Sequence, residues 1–307
     1  MKKIALVLVL ISLAASTIFT LRPLLFPQSL IPQITPTPLP SSAPSPQVTL
    51  IAVGDLMLGR SVNLRMLKEK NWQYPFLQTA KLLSSADLTF GNLESPLVSS
   101  CPPAAGGMTF CAPPEAAAGL TAAGFDVLSI ANNHILNYGQ RGRTQTMKFL
   151  NQNHILPSGP DQLAKYSVKK LTFGFLSFDL TGNHQPEPIL KKVKESAPEV
   201  DILIVSLHWG VEYQNEPDIW QKMLARQIIE AGAKVVLGHH PHVVQPTETY
   251  QNGLIFYSLG NFVFDQDWSE ETKRGKIVKI IFENKKIKSY EEIPIYIENN
   301  SQPRLIE

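Results

Sequence analysis

The sequence predicts an α/β fold, a four-layer α/β/β/α sandwich, and three kinds of observation carry that reading. Apolar runs such as Leu50-Ile51-Ala52-Val53 and Ile202-Leu203-Ile204-Val205 are too continuous for a sheet with one wet face, so both faces are covered. Such runs alternate with helical stretches in the middle of the chain and follow one another directly toward its end. That pattern suits two mixed sheets packed face to face with helices outside. Polar clusters close the apolar runs: Gly54-Asp55, Gly91-Asn92-Leu93-Glu94, Asn132-Asn133-His134, His208-Trp209, Gly238-His239-His240-Pro241-His242 and Leu259-Gly260-Asn261. Strand ends are where α/β sheets collect functional groups.

In chain order, the basic start Met1-Lys2-Lys3 and the largely apolar run to Leu21 read as an export signal over 1–21, either cleaved or kept as a membrane anchor. Residues 22–47 are dense in Pro, Ser and Thr, cannot bury a core, and read as an extended linker. Residues 48–307 suffice for one large domain. Its first strand runs to Val53 and a helix follows over 59–70. A strand over 87–90 ends at the Gly-Asn-Leu-Glu cluster, and the irregular stretch 95–114 is long enough to predict a functional lid. A helix over 116–123 is stopped by Gly124, a strand over 126–130 leads to the Asn-Asn-His cluster, and a helix spans 140–151. Strands over 166–171 and 173–178 predict a hairpin. A short helix at 189–195 precedes a strand over 200–207, and an amphipathic helix over 218–231 is ended by Gly232. Strands over 234–237, 254–259, 276–283 and 287–297 complete the domain.

A formal charge of +2 with scattered lysines, and aromatics that do not interleave with basic residues, give no nucleic-acid footprint. The chain has no Gly-x-Ser-x-Gly elbow and no Walker-type phosphate loop, so serine-hydrolase and nucleotide-triphosphatase chemistry fall away. Cys101 and Cys111 share a Pro- and Gly-rich loop, and in an exported protein a bridge is expected over two free thiols. Asp, Glu, Asn and His are the oxygen and nitrogen donors that suit a hard or borderline divalent cation, so the clusters predict a metal site with two ions. Three imidazoles within Gly238-His239-His240-Pro241-His242 exceed what packing requires. In an extended run His240 and His242 share a side and His239 faces away.

These motifs, in this order over 48–265, resemble those of the CapA family of capsule and poly-γ-glutamate biosynthesis proteins, and that family is similar to calcineurin-like metallophosphoesterases. The resemblance implies a metallophosphoesterase-like sandwich with a dinuclear centre. It implies Asp55, Glu94, Asn133, His208, His239 and His242 as metal ligands, with Glu94 at the place of a bridging Asp. His134 is implied as the catalytic group acting on the leaving group, and Arg60, His240 and Asn261 are assigned to substrate. Met57 replaces a His expected two residues after Asp55, which leaves the first ion short of a donor. Asn137 replaces an acidic residue expected to orient His134. His154 and His184 lie outside the clusters.

The implied function is an exported protein of capsule or poly-γ-glutamate biosynthesis on the outer side of the cell membrane, or secreted if the signal is cleaved. It handles an anionic polymer alongside capsule-synthesis proteins, through a hydrolase-type centre holding two ions of Mn, Fe or Zn. The alternative is a tethered polymer-binding or export protein without turnover, which Met57 favours.

Overall fold

The computed structural model describes residues 47–182 and 185–306. The leader and all of the linker before Gln47 lie outside the described residues, as does His184. Among the described residues no helix is long and apolar enough to cross a membrane. The elements in order are β1 (Gln47–Leu56), α1 (Arg60–Glu69), α2 (Ala80–Leu83), β2 (Leu88–Leu93), α3 (Ala116–Ala123), β3 (Val127–Ser129), α4 (Gly139–Gln152), β4 (Leu156–Ser158), β5 (Ala164–Val168), β6 (Leu171–Asp179), α5 (Pro186–Ser196), β7 (Ile202–His208), α6 (Ile219–Glu230), β8 (Val235–His239), β9 (Thr247–Tyr250), β10 (Gly253–Phe256), β11 (Asn261–Val263), β12 (Arg274–Glu283), β13 (Lys286–Glu298) and β14 (Gln302–Leu305).

The strands form two mixed sheets. The first has the order β14-β13-β12-β1-β2-β3-β4, with β11 also pairing to β1, and the second has the order β5-β6-β7-β8-β10-β9. Side-chain alternation along β1 decides the layers. Leu50 and Ala52 point between the sheets and meet Phe173, Phe175, Ile204 and Leu237 from the second sheet. Ile51 and Val53 point outward to Val62 and Met66 of α1 and Leu120 of α3. On the other outer face Leu203, Val205 and Val236 pack on Ile189 and Val193 of α5 and Leu224 and Ile228 of α6. Each such fully buried side chain contributes about 1.5–3 kcal/mol, so the α/β/β/α order follows from burying both faces of both sheets. Helix α6 starts where Asp218 accepts a hydrogen bond from the Gln221 backbone at 2.7 Å in a capping box, a device that contributes about 1 kcal/mol.

β1, β2, β3, β7 and β8 are joined as parallel neighbours within their sheets, so the polar clusters at their C-terminal ends emerge together at each sheet's edge. Close backbone approach is what Gly54 and Gly238 provide: a Cβ on Gly54 would lie 1.9 Å from the Gly260 carbonyl oxygen, and one on Gly238 1.8 Å from that of Tyr257. The freedom at Gly54 thus serves a neighbouring strand.

The hairpin turn is Lys169-Lys170, both at positive φ (48° and 70°), so Leu171 opens the second strand and does not close the first. β4, β9, β11 and β14, three or four residues each, escaped the sequence reading; unlike the equally short β3 and β10, β4, β9 and β14 hold no run of adjacent apolar residues. Residues 95–114 carry no helix or strand beyond an isolated bridge between Leu97 and Ala112. A Cys101–Cys111 disulfide spans this loop with a Cα–Cα distance of 5.7 Å.

Candidate metal centre

Glu94 is 0% exposed, and no hydrogen-bond donor reaches either of its carboxylate oxygens. Three imidazole Nε2 atoms stand around its Oε1: His242 at 3.7 Å, His134 at 3.8 Å and His208 at 4.0 Å. These separations are too long for hydrogen bonds. They match two ligands that share one ion: bonds of about 2.0–2.2 Å leave donor atoms roughly 3–4 Å apart. A buried carboxylate with no partner costs several kcal/mol, so the orphaned Glu94 is itself the evidence that the donor set fits a cation.

Asp55 is the second carboxylate. His239 Nδ1 lies 3.2 Å from its Oδ1 and His242 Nδ1 3.3 Å from its Oδ2, while the His240 backbone N–H donates to Oδ2 at 3.1 Å. Asn92 Nδ2 donates to Asp55 Oδ1 at 2.9 Å and lies 3.2 Å from His208 Nδ1. His208 Nε2 lies 3.1 Å from Asn133 Oδ1. Asn132 completes the frame by donating to Asn92 Oδ1 and to the Leu93 carbonyl. The side-chain atoms of Asp55, Glu94 and His242 lie within 4.8 Å of one another, and so do those of Glu212, His240 and His242. Two donor groups therefore share His242.

The electrostatics follow from burial. No lysine or arginine pairs with Asp55 or Glu94 among the described residues. Burial pushes the Glu94 carboxyl well above its usual range, with His242 opposing and Asp55 reinforcing the shift. Burial also acts to raise Asp55, but the hydrogen bonds and charges of His239 and His242 outweigh it and hold that carboxyl well below the usual range. At His242 burial acts downward, yet Glu94 and Asp55 push it up to about 9. Burial lowers His208, His134 and His240. Burial thus favours the neutral rings of His208, His134 and His240 and disfavours ionisation of Glu94, while the two carboxylates favour the charged form of His242.

Backbone conformation is part of the construction. His240, His242 and Tyr213 all take positive φ (92°, 59° and 66°), each a conformation that costs about 1–3 kcal/mol and clusters at functional sites. Of the extended and turned conformations that the sequence allows this segment, the structure takes the turned one. Beyond β8 the chain turns, so His239 and His242 converge on Asp55 and His240 moves toward His208, their rings 4.8 Å apart.

The 95–114 loop covers His134. Phe110 stacks on the imidazole at 3.9 Å and donates its backbone N–H to Asn137 Oδ1 at 2.7 Å; the same Oδ1 lies 3.1 Å from His134 Nδ1. A carbonyl oxygen only accepts, so the proton sits on Nδ1 and Nε2 faces Glu94 with its lone pair. Asn137 therefore orients His134 without an acidic group, contrary to the weakening expected from sequence. Arg60 lies over Phe110 with Cζ 4.6 Å from the ring centre; its guanidinium is paired with Asp265 and donates to the Gly107 carbonyl at 3.2 Å. Its charge is already balanced within the chain. Asn261 stands behind His242, its Oδ1 2.9 Å from Nδ1. Met57 is buried in the outer core and its Sδ accepts the Gly59 N–H at 3.0 Å, so it takes no part in the donor set.

The structure brings together Asp55, Glu94, Asn133, His134, His208, His239, His240, His242 and Asn261. Sequence reading missed Asn92 as the hinge between Asp55 and His208, although it lies inside a quoted motif. It also missed Glu212, whose only signal was a carboxylate four residues after His208 on the same loop.

The bacterial capsule synthesis protein family PGA_cap matches residues 49–266. The chain is 30% identical over 284 residues to the capsule biosynthesis protein CapA of Bacillus anthracis, covering 83% of this chain and 69% of that protein. It is 32% identical over 269 residues to the PGA biosynthesis protein CapA of Bacillus subtilis (strain 168), covering 80% and 70% respectively. Among solved structures it resembles a proposed 5′-nucleotidase from Staphylococcus aureus in complex with alpha-ketoglutarate. The TM-score is 0.50 and the identity 15%, over 83% of this chain and 55% of that one. At this identity the likeness concerns the fold, a metallophosphoesterase-like sandwich.

Proposed function

We propose, from the premise that this chain belongs to the PGA_cap family of bacterial capsule synthesis proteins, that it is an exported metal-dependent hydrolase of capsule or poly-γ-glutamate biosynthesis. Residues 1–21 direct export and anchor it, and the domain works on the outer side of the membrane. The observation that carries the chemistry is the fully buried, partnerless carboxylate of Glu94 ringed by three imidazole nitrogens.

Asp55, Glu94, His208, His239 and His242, with Asn133, would hold a divalent ion of Mn, Fe or Zn, and Glu212 and His240 beside His242 would supply donors for a second. When bound, such ions supply Lewis-acid polarisation of a phosphoryl or carbonyl oxygen. The rest of the work falls to side chains. Asn261 and Asp55 fix the His242 ring so that Nε2 faces Glu94, an outer-shell role. Asn137 holds His134 by Nδ1, so a proton enters and leaves at Nε2, the route to a departing group. Phe110 covers that ring and keeps water from its outer face. The substrate is an anionic polymer, poly-γ-glutamate or a capsular polymer, handled together with the capsule-synthesis proteins.

The test is metal content of the purified protein together with hydrolysis of a phosphodiester mimic and of poly-γ-glutamate. Stoichiometric metal, and turnover lost on chelation, is the expected result. Polymer binding with neither metal nor turnover hands the assignment to the tethered polymer-binding protein, the reading that the sequestered Met57 favours. A reporter fused after Gln47 and found only in the cytosol would remove the export assignment.

A further inference from the structure

We propose that the end of the sandwich opposite the metal centre is a docking face for the anionic phosphate headgroups of the membrane, and that it holds the centre pointing away from the bilayer. The proposal rests on the reading of residues 1–21 as a membrane anchor. The chain enters the domain at Gln47, the first residue of β1, and Asp55 lies eight residues on. At about 3.3 Å per residue the two ends are about 26 Å apart. The stretch 22–47, read from its composition as a linker, selects no orientation by itself, so orientation needs a second contact.

Six lysines gather at the Gln47 end. Lys169 and Lys170 form the β5–β6 turn, Lys234 precedes β8, Lys285 lies in the β12–β13 turn, and Lys286 and Lys288 open β13. Register places them there: Gln47 pairs with Glu283 across β1 and β12, and Lys169 Nζ donates to the Gln47 carbonyl at 3.2 Å. Three are matched within the chain, Lys169 with Asp87 at 2.7 Å, Lys285 with Asp201 at 2.6 Å and Lys288 with Glu283 at 3.2 Å. Lys170, Lys234 and Lys286 have no ion-pair partner among the described residues. A groove of 650 Å³ is lined by Lys234, Lys285, Lys286 and Lys288, with Tyr290 in its wall and no carboxylate residue in its lining.

At the opposite end Asp55 and Glu94 are fully buried at the metal centre, and Glu271 lines the cleft beside Tyr213 and Trp268. An anionic surface attracts the lysine groove, which selects the orientation that turns it to the membrane. Lipid phosphate is favoured over a soluble polyanion as occupant because the lysine face lies where the tether joins the domain. Each unpaired lysine near such a surface strengthens attachment about fivefold, and salt screens it.

The test uses the full chain reconstituted into vesicles of phosphatidylcholine alone or with phosphatidylglycerol. A single dye is placed at Asn252→Cys in the lysine groove or at Asn215→Cys beside Tyr213, the native cysteines being bridged. In anionic vesicles, energy transfer to headgroup acceptors should be greater from position 252 than from 215. High salt, and the combined Lys170→Glu, Lys234→Glu and Lys286→Glu variant, should each abolish the difference. Equal transfer from both positions in anionic vesicles overturns the proposal. So does a variant that loses binding of soluble poly-γ-glutamate while its vesicle orientation is unchanged, which assigns the groove to the polymer. Flotation with phosphatidylcholine vesicles reads the anchor separately, since failure there leaves the orientation measurement in anionic vesicles intact.

Discussion

Asn137 Oδ1 lies 3.1 Å from His134 Nδ1, and this one neutral acceptor decides which nitrogen of the catalytic candidate faces Glu94. A carboxylate at the same place would stabilise the imidazolium. Asn137→Asp is therefore expected to make His134 titrate at higher pH, against the lowering that burial imposes, as followed by the imidazole NMR signals. Asn137→Ala should free the ring and the Phe110 backbone together, reducing turnover about 10–100-fold with metal content unchanged. Loss of metal in Asn137→Ala would mean that His134 is a ligand.

Glu94→Gln separates a ligand from a packing residue. The substitution keeps the volume and removes a buried carboxyl that burial makes costly to ionise and that no hydrogen bond satisfies, so the chelated protein should melt higher than wild type. The same variant should lose the stabilisation that added Mn, Fe or Zn confers, which for wild type is about 4 kcal/mol at a thousandfold excess over Kd. His242→Ala and Asp55→Ala should likewise lower bound metal, while His134→Ala should spare it. A melting temperature indifferent to chelator in every variant would make the cluster structural.

Metal uptake should strengthen with pH. In the metal-free protein His242 is raised from 6.5 to about 9 by Glu94 and Asp55, against burial. Its ion pairing therefore stabilises the fold fully below 6.5 and is lost as pH rises through about 9. A cation must displace that proton, so affinity should climb roughly tenfold per pH unit in this window and level off above it. Calorimetry in two buffers of different protonation enthalpy measures the released proton; identical heats would contradict the assignment.

Reduction of Cys101–Cys111 should loosen the lid. The bridge closes a short loop with a sequence separation of 10, a constraint of about 2–3 kcal/mol, and that loop carries Phe110 onto His134. Cys101→Ser should lower stability by about that amount in denaturant titration and shift the His134 resonances as the ring contact is lost. Unchanged His134 signals in the reduced protein would show that Arg60 and Asn137 hold Phe110 without the bridge.

The sequence alone determined the layered fold, because continuous apolar runs such as Ile202 to Val205 leave no other way to cover both sheet faces. It also determined where the polar clusters stand, since parallel strands deliver their C-terminal ends to one edge. Helix limits at Gly124 and Gly232 were legible for a local reason, their positive φ of 97° and 117°, which glycine adopts freely. What tertiary structure decided was which groups face one another. The left-handed turns at His240 and His242 reverse the sides that an extended run assigns, and no local pattern announces φ > 0 at a histidine. Asn92 gains its role from residues 37 and 116 positions away and Glu212 from the turn that carries His240 and His242, and sequence distance carries no record of such contacts. Arg60, read as open to substrate, is matched by Asp265, and only the folded chain brings those two charges together.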